Sequence, residues 1–347
     1  MRSQRQRPAL LAMILLAGVF VVVSAAAQAN GPQSSTPAWK LVWSDEFNGP
    51  NGSAVDSSKW ASETGGGGWG NDELEYYTRR LENASQQDGN LVIQVLQEKY
   101  TGADGVTRNY TSARLKTQNK FSQAYGRFEA RIKIPRGQGI WPAFWMLGTN
   151  IVPVGWPTCG EIDIMEKAWL TDHIQHALHW DGYSPSPLAG SAGLQVLNMG
   201  MNDGGWHVFG LDWTPTNYVF YVDGTQTYST NAGGVSQVPE YVMLTEEVGN
   251  FGSGPDAWGT GPITNATLPD YYLVEYVRIY DTNEPQAQLS YPVLLNASNL
   301  VLSWSGGGNL LSATNLAGPW VVVTNAASPF TSLVAPNTPR QFFRVQQ

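Results

Sequence analysis

Residues 125–134 alternate between apolar and charged side chains, and this period of two constrains the fold more than any other feature of the chain. Because successive side chains of a β-strand point to opposite faces of a sheet, one face of the segment is apolar and the other is charged. The apolar face carries Phe128, Ala130, Ile132 and Ile134, and the charged face carries Arg127, Glu129, Arg131 and Lys133. The segment therefore predicts a half-buried strand.

Other segments have the same character, and together they predict an all-β protein. Residues 91–96 follow an Asp-Gly-Asn turn, residues 217–222 run into an Asp-Gly hairpin signal, and residues 273–280 are rich in β-branched and aromatic side chains. The 37 glycines and 21 prolines suit many strands joined by loops. A stretch of about 250 such residues can form one β-sandwich domain.

The N-terminal segment predicts export. Three arginines within the first seven residues precede an apolar run over 10–23, and Ala27-Gln28-Ala29 offers a cleavage site between small residues. This pattern is typical of a signal peptide. We therefore assign residues 1–29 to a signal peptide cleaved near Ala29. We expect a secreted or periplasmic protein that keeps no membrane anchor after cleavage.

A second boundary is predicted near the other end of the chain. The Glu284-Pro285-Gln286 stretch separates the long β region from about four short strand-like runs within roughly 60 residues. We therefore place a catalytic domain at residues 30–283 and a small β module at residues 284–347. The sequence assigns no role to this module.

Charge and cysteine content exclude several classes of protein. The chain has 20 basic and 28 acidic residues, a net charge of −8, and cleavage of the signal would remove three more positive charges. Bulk electrostatics therefore oppose binding to nucleic acid or anionic membrane. Cys159 is the only cysteine, so no disulfide can form within the chain, and we expect it to be a small buried residue. We expect a monomer.

Three carboxylates lie within six residues of one predicted strand. Glu161 and Asp163 share a face, whereas Glu166 should point away from them. One extra residue, for which Met165 is the expected position, would bulge the strand and return Glu166 to the same face. Two neighbouring carboxyl groups, one ionised and one protonated, are what retaining glycoside hydrolysis needs. The alternative is a solvated edge or an ion-pair cluster, but the interleaved Ile162 and Ile164 argue for burial.

Tryptophan is unusually frequent, with 14 residues in the chain. Aromatic rings offer rigid apolar faces on which sugar rings stack, although some of these tryptophans must belong to the core. Trp43, Trp60 and Trp213 are expected in the core. Trp141 and Trp145 are four residues apart in a predicted strand and therefore share a face, where they could shape a groove beside the acids.

These segments resemble those of glycoside hydrolase family 16, and especially the laminarinase-type endo-1,3-β-glucanases within it. The resemblance runs over roughly residues 39–281. The matching segments, in the family's order, are residues 43–48 (WSDEFN), 69–78 (WGNDELEYYT), 111–114 (TSAR), 141–147 (WPAFWML), 161–166 (EIDIME), 206–215 (WHVFGLDWTP), 221–224 (YVDG) and 274–280 (VEYVRIY).

The resemblance implies a jelly-roll β-sandwich with a concave substrate groove and a retaining reaction on a β-glucan polysaccharide, 1,3-linked or mixed 1,3/1,4-linked. It implies that Glu161 is the nucleophile, that Glu166 is the acid and base, and that Asp163 hydrogen-bonds the nucleophile. The implied substrate-binding residues are Asn71, Glu73, Arg114, Trp141, Trp145 and His179. No catalytic cofactor is implied. A structural Ca²⁺ is common in the family, and Glu46 and Glu275 are the matching positions here.

One segment departs from the family's pattern. Thr245-Glu246-Glu247 stands where many relatives carry a run similar to Asn-Leu-Ala, and two acids there are expected to alter the groove or its rim. A galactanase on the same scaffold, similar to agarases, carrageenases or porphyranases, therefore stays an alternative. A transglycosylase and a non-catalytic β-glucan-binding protein are further alternatives. Such binding proteins typically lose the catalytic glutamates, which this chain keeps.

Overall fold

A computed structural model of the chain describes residues 39–167, 172–180, 191–251, 261–263, 266–282, 288–289, 293–296, 299–305, 308–314, 319–333 and 341–346. The predicted signal peptide and the predicted boundary at 284–286 lie outside these residues. The first nine strands are β1 Trp39–Asp45, β2 Ala61–Glu63, β3 Glu75–Tyr77, β4 Ala84–Gln87, β5 Asn90–Thr101, β6 Thr107–Ser112, β7 Arg114–Lys116, β8 Gly126–Lys133 and β9 Ile140–Gly148.

One short helix follows, α1 Ile151–Val154. The chain then continues with β10 Glu161–Glu166, β11 His173–His179, β12 Ser191–Asn198, β13 His207–Trp213, β14 Tyr218–Val222, β15 Thr225–Thr230, β16 Glu240–Val248, β17 Asn250–Phe251, β18 Gly261–Pro262 and β19 Asp270–Thr282. The last strands are β20 Gln288–Leu289, β21 Val293–Asn296, β22 Asn299–Leu302, β23 Trp304–Ser305, β24 Asn309–Ala313, β25 Val321–Val322, β26 Phe330–Leu333 and β27 Phe342–Gln346. Among these described elements, no helix is long and apolar enough to span a membrane.

Two large sheets form the body of the fold. The ten-stranded sheet has the order β15-β14-β13-β8-β19-β5-β6-β3, with β1 paired to β19 and β4 paired to β5. The seven-stranded sheet has the order β12-β11-β10-β9-β16-β7-β2. The predicted all-β architecture is therefore confirmed.

The core lies between these two sheets. In β8 the side chains alternate between buried and partly exposed, as the sequence predicts, and Phe128, Ala130 and Ile132 are completely buried. They join one apolar cluster with Phe144 of β9 and Ile162 of β10 from the other sheet. This packing fixes which face of β9 and β10 points inward. The opposite face of the seven-stranded sheet points away from this core.

The strands between residues 288 and 346 pair within that segment. They form one two-stranded sheet, β20-β23, and two three-stranded sheets, β21-β22-β26 and β25-β24-β27. The division of the chain at residues 283 and 284 stays a prediction.

Candidate active site

A bulge in β10 brings the three acids to one face. Glu161, Ile162 and Asp163 pair in regular register with Leu147, Met146 and Trp145 of β9, and the register then shifts. Met165 pairs with Phe144 and Glu166 with Ala143, so Ile164 is the extra residue. The predicted bulge is confirmed, although the expected position at Met165 was wrong by one residue.

The side chains of the bulged strand show why the extra residue matters. Ile164 and Met165 are neighbours in sequence, yet both are fully buried in the core between the sheets. Glu166 therefore points to the same side as Glu161 and Asp163, because the bulge corrects the alternation of the strand. We call this side of the seven-stranded sheet, which carries Glu161, Asp163 and Glu166, the acidic face.

Strand β9 contributes the two tryptophans to the acidic face. Trp145 lies opposite Asp163, and Trp141 is four residues along the same strand. Residues paired across neighbouring strands point to the same side of a sheet. Both indoles are nearly buried, with exposures of 6% for Trp141 and 7% for Trp145. The prediction that they share a face with the acids is confirmed.

Glu161 has two neighbours that carry nitrogen donors. The indole Nε1–H of Trp156 donates a hydrogen bond of 3.0 Å to Glu161 Oε2. His179 Nε2 lies 3.8 Å from Glu161 Oε1 and 3.3 Å from Asp163 Oδ2, so this imidazole bridges the two carboxyl groups. Trp156 is half exposed and packs beside the His179 ring. A protonated His179 would favour the ionised form of both acids.

Glu166 has a different donor. The side-chain amide of Gln175, on the neighbouring strand β11, donates a hydrogen bond of 2.6 Å to Glu166 Oε2. Both residues are buried, with Glu166 7% exposed and Gln175 5% exposed. The bond fixes the orientation of the Glu166 carboxyl group and favours its ionised form.

Burial and mutual repulsion keep protons on these acids. Burial and the neighbouring Asp163 raise the pKa of Glu161 to about 8 and that of Glu166 to about 8. Burial also raises the pKa of Asp163 well above its ordinary value. Adjacent carboxyl groups cannot all ionise, so the cluster loses its protons in successive steps. After the first of these steps the cluster holds one ionised carboxyl group beside protonated ones.

Arg114 lies on the acidic side of the fold but is engaged by an ion pair. Its Nε is 2.7 Å from Glu63 Oε2, and its guanidinium lies between the rings of Trp69 and Trp145, at 4.9 and 4.8 Å from their centroids. The side chain is 10% exposed. Arg114 therefore supports the position of Trp145.

Asn71 and Glu73 both lie near a second group of acids. Asn71 Nδ2 is 3.5 Å from Glu247 Oε2. Glu73 is 1% exposed and accepts a hydrogen bond of 2.7 Å from the Tyr77 hydroxyl. Glu75 is fully buried and accepts a hydrogen bond from the Val248 amide. Neither glutamate is solvated, because this stretch packs against the end of β16.

Glu246 and Glu247, the two acids of the segment that departs from the family's pattern, point in opposite directions. Glu247 pairs with Trp141 and lies on the acidic face. Glu246 pairs with Pro142 and shares the inward side of β16 with Val242 and Leu244 of the core. The expectation that both acids alter the groove or its rim is therefore wrong for Glu246, because adjacent residues of a regular strand face opposite ways.

The positions expected to hold Ca²⁺ are occupied by ion pairs. Glu46 accepts two hydrogen bonds from Arg278, of 3.0 and 2.8 Å, and Glu275 is paired with Arg131. Calcium needs several oxygen ligands with uncompensated charge, whereas each carboxylate here already has its own guanidinium partner. The residues do not fit a Ca²⁺, so the prediction of a metal at Glu46 and Glu275 is not supported.

His176 and His179 of β11 point to opposite faces of the sheet. His176 is fully buried, bonds to the Ile164 carbonyl and Thr227, and stacks on Phe220. His179 points to the acidic face, as expected for residues three apart in a strand. Cys159 is buried and free, which confirms its expected character.

Sequence reasoning missed Trp156 and Gln175, which contact the acids directly. Gln175 comes within reach of Glu166 through the pairing of β10 with β11, whose shifted register only a structure gives. Trp156 precedes β10 in the segment after α1, and the signal that could have found it was its position five residues before Glu161.

Comparisons with known proteins identify relatives of the chain. The profile of the glycosyl hydrolases family 16 matches residues 72–250. The chain is 34% identical over 276 residues to a beta-glucanase of Rhodothermus marinus, an alignment covering 75% of this chain and 91% of that protein. It is 33% identical over 266 residues to glucan endo-1,3-beta-glucosidase A1 of Niallia circulans, which covers 69% of this chain but only 37% of that longer protein.

A solved structure shows the same fold. The laminarinase catalytic domain of Thermotoga maritima MSB8 superposes with a TM-score of 0.60 at 37% identity, covering 71% of this chain and 99% of that domain. The likeness confirms the jelly-roll β-sandwich that the resemblance implied.

Proposed function

The chain belongs to family 16 of the glycosyl hydrolases, and on this premise we propose that it is a secreted, retaining endo-β-glucanase. Its substrate is a 1,3-linked or mixed 1,3/1,4-linked β-glucan. The names of the relatives from Rhodothermus marinus and Niallia circulans support this substrate class. The observation that carries the proposal is the bulge at Ile164, which sets Glu161 and Glu166 on one face beside two tryptophans.

The first step forms a covalent intermediate. The ionised Glu161 attacks the anomeric carbon of the glucosyl unit, and the bond from that carbon to the leaving oxygen breaks. Glu166 donates its proton to the leaving oxygen, so the departing chain ends in a neutral hydroxyl. The hydrogen bond from Trp156 favours the ionised form of Glu161, while burial and repulsion from Asp163 keep the proton on Glu166.

The second step releases the sugar. Glu166, now ionised, takes a proton from a water molecule whose oxygen attacks the anomeric carbon, and Glu161 leaves as a carboxylate. Each step inverts the anomeric centre, so the product keeps the β configuration. Asp163 lies between the two acids in sequence and shares His179 with Glu161, and it modulates the charge of both. No cofactor enters either step.

Neutral polysaccharide fits the composition of the acidic face. Trp141 and Trp145 offer rings for stacking, and Arg114, which lies beside Trp145, is already paired with Glu63. Sulfated galactans would need free arginine or lysine side chains to bind their sulfate groups. This argument favours a glucan over a sulfated galactan.

Export follows from the predicted signal peptide. The basic start, the apolar run over 10–23 and the small residues at 27–29 support cleavage near Ala29. When the whole chain is expressed in a bacterial host, the mature protein is expected in the periplasm or the medium, with a new N-terminus near Asn30. Mass spectrometry of the recovered protein tests this, and an intact N-terminus on cytoplasmic protein would contradict it.

Product analysis tests the proposed substrate. The mature protein and its Glu161→Ala variant are incubated with laminarin, mixed-linkage glucan, agarose and carrageenan, and the oligosaccharides are separated by chromatography. We expect a ladder of oligosaccharides from laminarin or mixed-linkage glucan with the wild type and none with the variant. Cleavage of a galactan without cleavage of a glucan would overturn the substrate. Undiminished activity of the variant would overturn the role of Glu161.

A further inference from the structure

Glu247 lies on the acidic face close to the proposed catalytic acids. Glu166 pairs with Ala143, which pairs in turn with Thr245 of β16, and Glu247 is two residues further along that strand. With strands about 4.8 Å apart and a rise of about 3.4 Å per residue, the Cα atoms of Glu166 and Glu247 are roughly 12 Å apart. This is more than one sugar unit, so Glu247 would meet a unit beyond the bond that is cleaved.

The carboxyl group of Glu247 is buried but poorly satisfied. Glu247 is 5% exposed, close to the 7% of Glu166, so it is about as accessible as the proposed acid and base. Its described contacts are to Asn71 Nδ2 and to the Thr245 hydroxyl, both at 3.5 Å, which is the outer limit of a hydrogen bond. A buried carboxyl group without good partners is costly. The group therefore has capacity for a ligand hydrogen bond.

Arg114 favours the ionised form of Glu247, whereas the neighbouring acids oppose it. Burial raises the pKa of Glu247 well above its ordinary value, and the charge of Glu73 raises it further. The carboxyl group of Glu75 is hydrogen-bonded to that of Glu73, and burial and this contact raise the pKa of Glu75, so the two acids hold a proton between them. A protonated or shared-proton carboxyl group can both donate to and accept from a sugar hydroxyl.

A metal ion is a poorer occupant than a sugar. Among the described residues, the acids and histidines whose ligand atoms converge to within 4.8 Å of one another are Glu161, Asp163 and His179, and Glu247 does not belong to that group. An anionic substituent is also disfavoured, because it would be placed against three carboxyl groups. A neutral hydroxyl group avoids both problems.

We infer that Glu247 determines substrate specificity: its carboxyl group hydrogen-bonds a hydroxyl of a neutral sugar unit, and the acids around it exclude sulfated or carboxylated sugars from that position. This inference rests on the proposed glucanase function. Glu247 also faces Thr245, whose hydroxyl accepts a hydrogen bond of 3.1 Å from Trp145 Nε1. Thr245 thereby links the carboxyl group of Glu247 to the indole ring of Trp145.

Steady-state kinetics on laminarin tests the inference with three variants of Glu247 and one control. Glu247→Ala removes the carboxyl group, Glu247→Met keeps the volume without hydrogen bonds, and Glu247→Gln keeps a donor and an acceptor. Glu246→Gln is the matched control, because it makes the same chemical change on the next residue, which faces the core. Melting temperatures establish that each variant is folded.

We expect Glu247→Ala and Glu247→Met to raise KM about tenfold with kcat nearly unchanged, since one hydrogen bond to a carboxyl group is lost in both the ground state and the transition state. Glu247→Gln is expected to raise KM less than about threefold, and Glu246→Gln to leave it unchanged. We also expect Glu247→Met to bind carrageenan more strongly than the wild type. An unchanged KM in both Glu247→Ala and Glu247→Met would overturn the inference.

Gel retardation by laminarin gives a readout without turnover. Glu161→Ala is compared with the double variant Glu161→Ala/Glu247→Met, and we expect the double variant to be retarded less. Equal retardation of the two overturns the inference about Glu247 even if laminarin is cleaved by the wild type. If the wild type cleaves carrageenan and not laminarin, both the proposed function and this inference fail.

Discussion

Glu161 and Glu166 receive hydrogen bonds from different donors, although burial raises the pKa of each to about 8. Trp156 donates to Glu161 and Gln175 donates to Glu166. A donor favours the ionised form of the carboxyl group that it contacts. The pH dependence of activity should therefore respond separately to the loss of each donor.

Replacing Trp156 with phenylalanine should move the acidic limb of the pH profile. Trp156→Phe keeps an aromatic ring and removes the N–H, so the pKa of Glu161 rises and more of the nucleophile is protonated at a given pH. We expect the acidic limb of kcat/KM to move up by as much as about one pH unit. A profile identical to that of the wild type would show that the Trp156 bond does not tune Glu161.

Replacing Gln175 should move the alkaline limb of the pH profile of kcat/KM. The amide of Gln175 holds the pKa of Glu166 down, so Gln175→Met raises that pKa and keeps Glu166 protonated to higher pH. The alkaline limb of kcat/KM, which begins near the pKa of about 8, is expected to move upward. A downward shift of that limb would contradict the assignment of Glu166 as the acid. The control is Gln87→Met, which makes the same chemical change at an exposed position.

At the scale of single residues the sequence predicts the catalytic acids, but it does not predict contacts such as Gln175–Glu166 and Arg114–Glu63. Glu161, Asp163 and Glu166 can be assigned to one face from alternation and a bulge, because these are local properties of one strand. The Gln175–Glu166 bond depends on the register between β10 and β11, and the Arg114–Glu63 pair joins residues 51 apart in sequence. Such contacts depend on pairing that no local pattern specifies.

The bulge of β10 is the element on which the site depends. Deleting Ile164 removes the extra residue, so Glu166 would turn toward the core or β10 would shift its register against β9. We expect the deletion variant to have no detectable glucanase activity and a lower melting temperature. Ile164→Val, which keeps the bulge, should remain active and lose about 1 kcal/mol of stability. An active deletion variant would contradict the role given to the bulge.

The junction of β1 and β19 is stabilised by ion pairs in place of a metal. Because Arg278 neutralises Glu46 and Arg131 pairs with Glu275, added Ca²⁺ would have to displace a guanidinium from each of these carboxylates. A ligand raises the melting temperature only if it binds the folded state. We expect the melting temperature to be the same in millimolar CaCl₂ and in EDTA. A rise of several degrees with Ca²⁺ would show that a calcium site exists in the protein.

The register of one strand also decides on which faces of β16 Glu246 and Glu247 lie. Which of two adjacent acids faces the core depends on the register of β16 against β9. A shift of one residue exchanges the two faces. Glu247 therefore lies on the acidic face and Glu246 does not, and the effect of Glu247 on the groove stays a prediction.

Buried carboxyl groups should govern how the stability of the whole molecule depends on pH. Burial raises the pKa of Glu161 and Glu166 to about 8, and it raises those of Glu75, Glu240, Glu246 and Glu247 well above the ordinary value. Between about pH 4.5 and pH 8 the folded chain thus binds more protons than the unfolded chain, so its stability falls as pH rises.

Urea unfolding at pH 5 and at pH 8 tests this expectation. We expect a higher free energy of unfolding at pH 5, and Glu246→Gln, which removes one buried titrating group, should reduce the difference between the two pH values. Glu82→Gln, at an exposed position, should leave the difference unchanged. Equal stability at pH 5 and pH 8, or greater stability at pH 8, would contradict the burial of protonated acids.

The architecture of the whole chain was more accessible from sequence than its site. The long alternating strand β8 follows from a period of two that burial between two sheets imposes, and the late strand β19 from its β-branched and aromatic residues. Both support the all-β class. The pairing order of the strands does not follow from it, since β8 lies between β13 and β19, which are distant in sequence. The signal peptide and the division near residue 284 stay predictions.

The stereochemistry of the first product tests the central claim most directly. Proton NMR during the hydrolysis of laminarin follows the anomeric signals of the new reducing ends before mutarotation sets in. Attack by Glu161 and protonation by Glu166 predict that the β-anomer appears first and that the α-anomer grows in later. An α-anomer as the first product would mean direct attack by water, and it would contradict a covalent intermediate on Glu161.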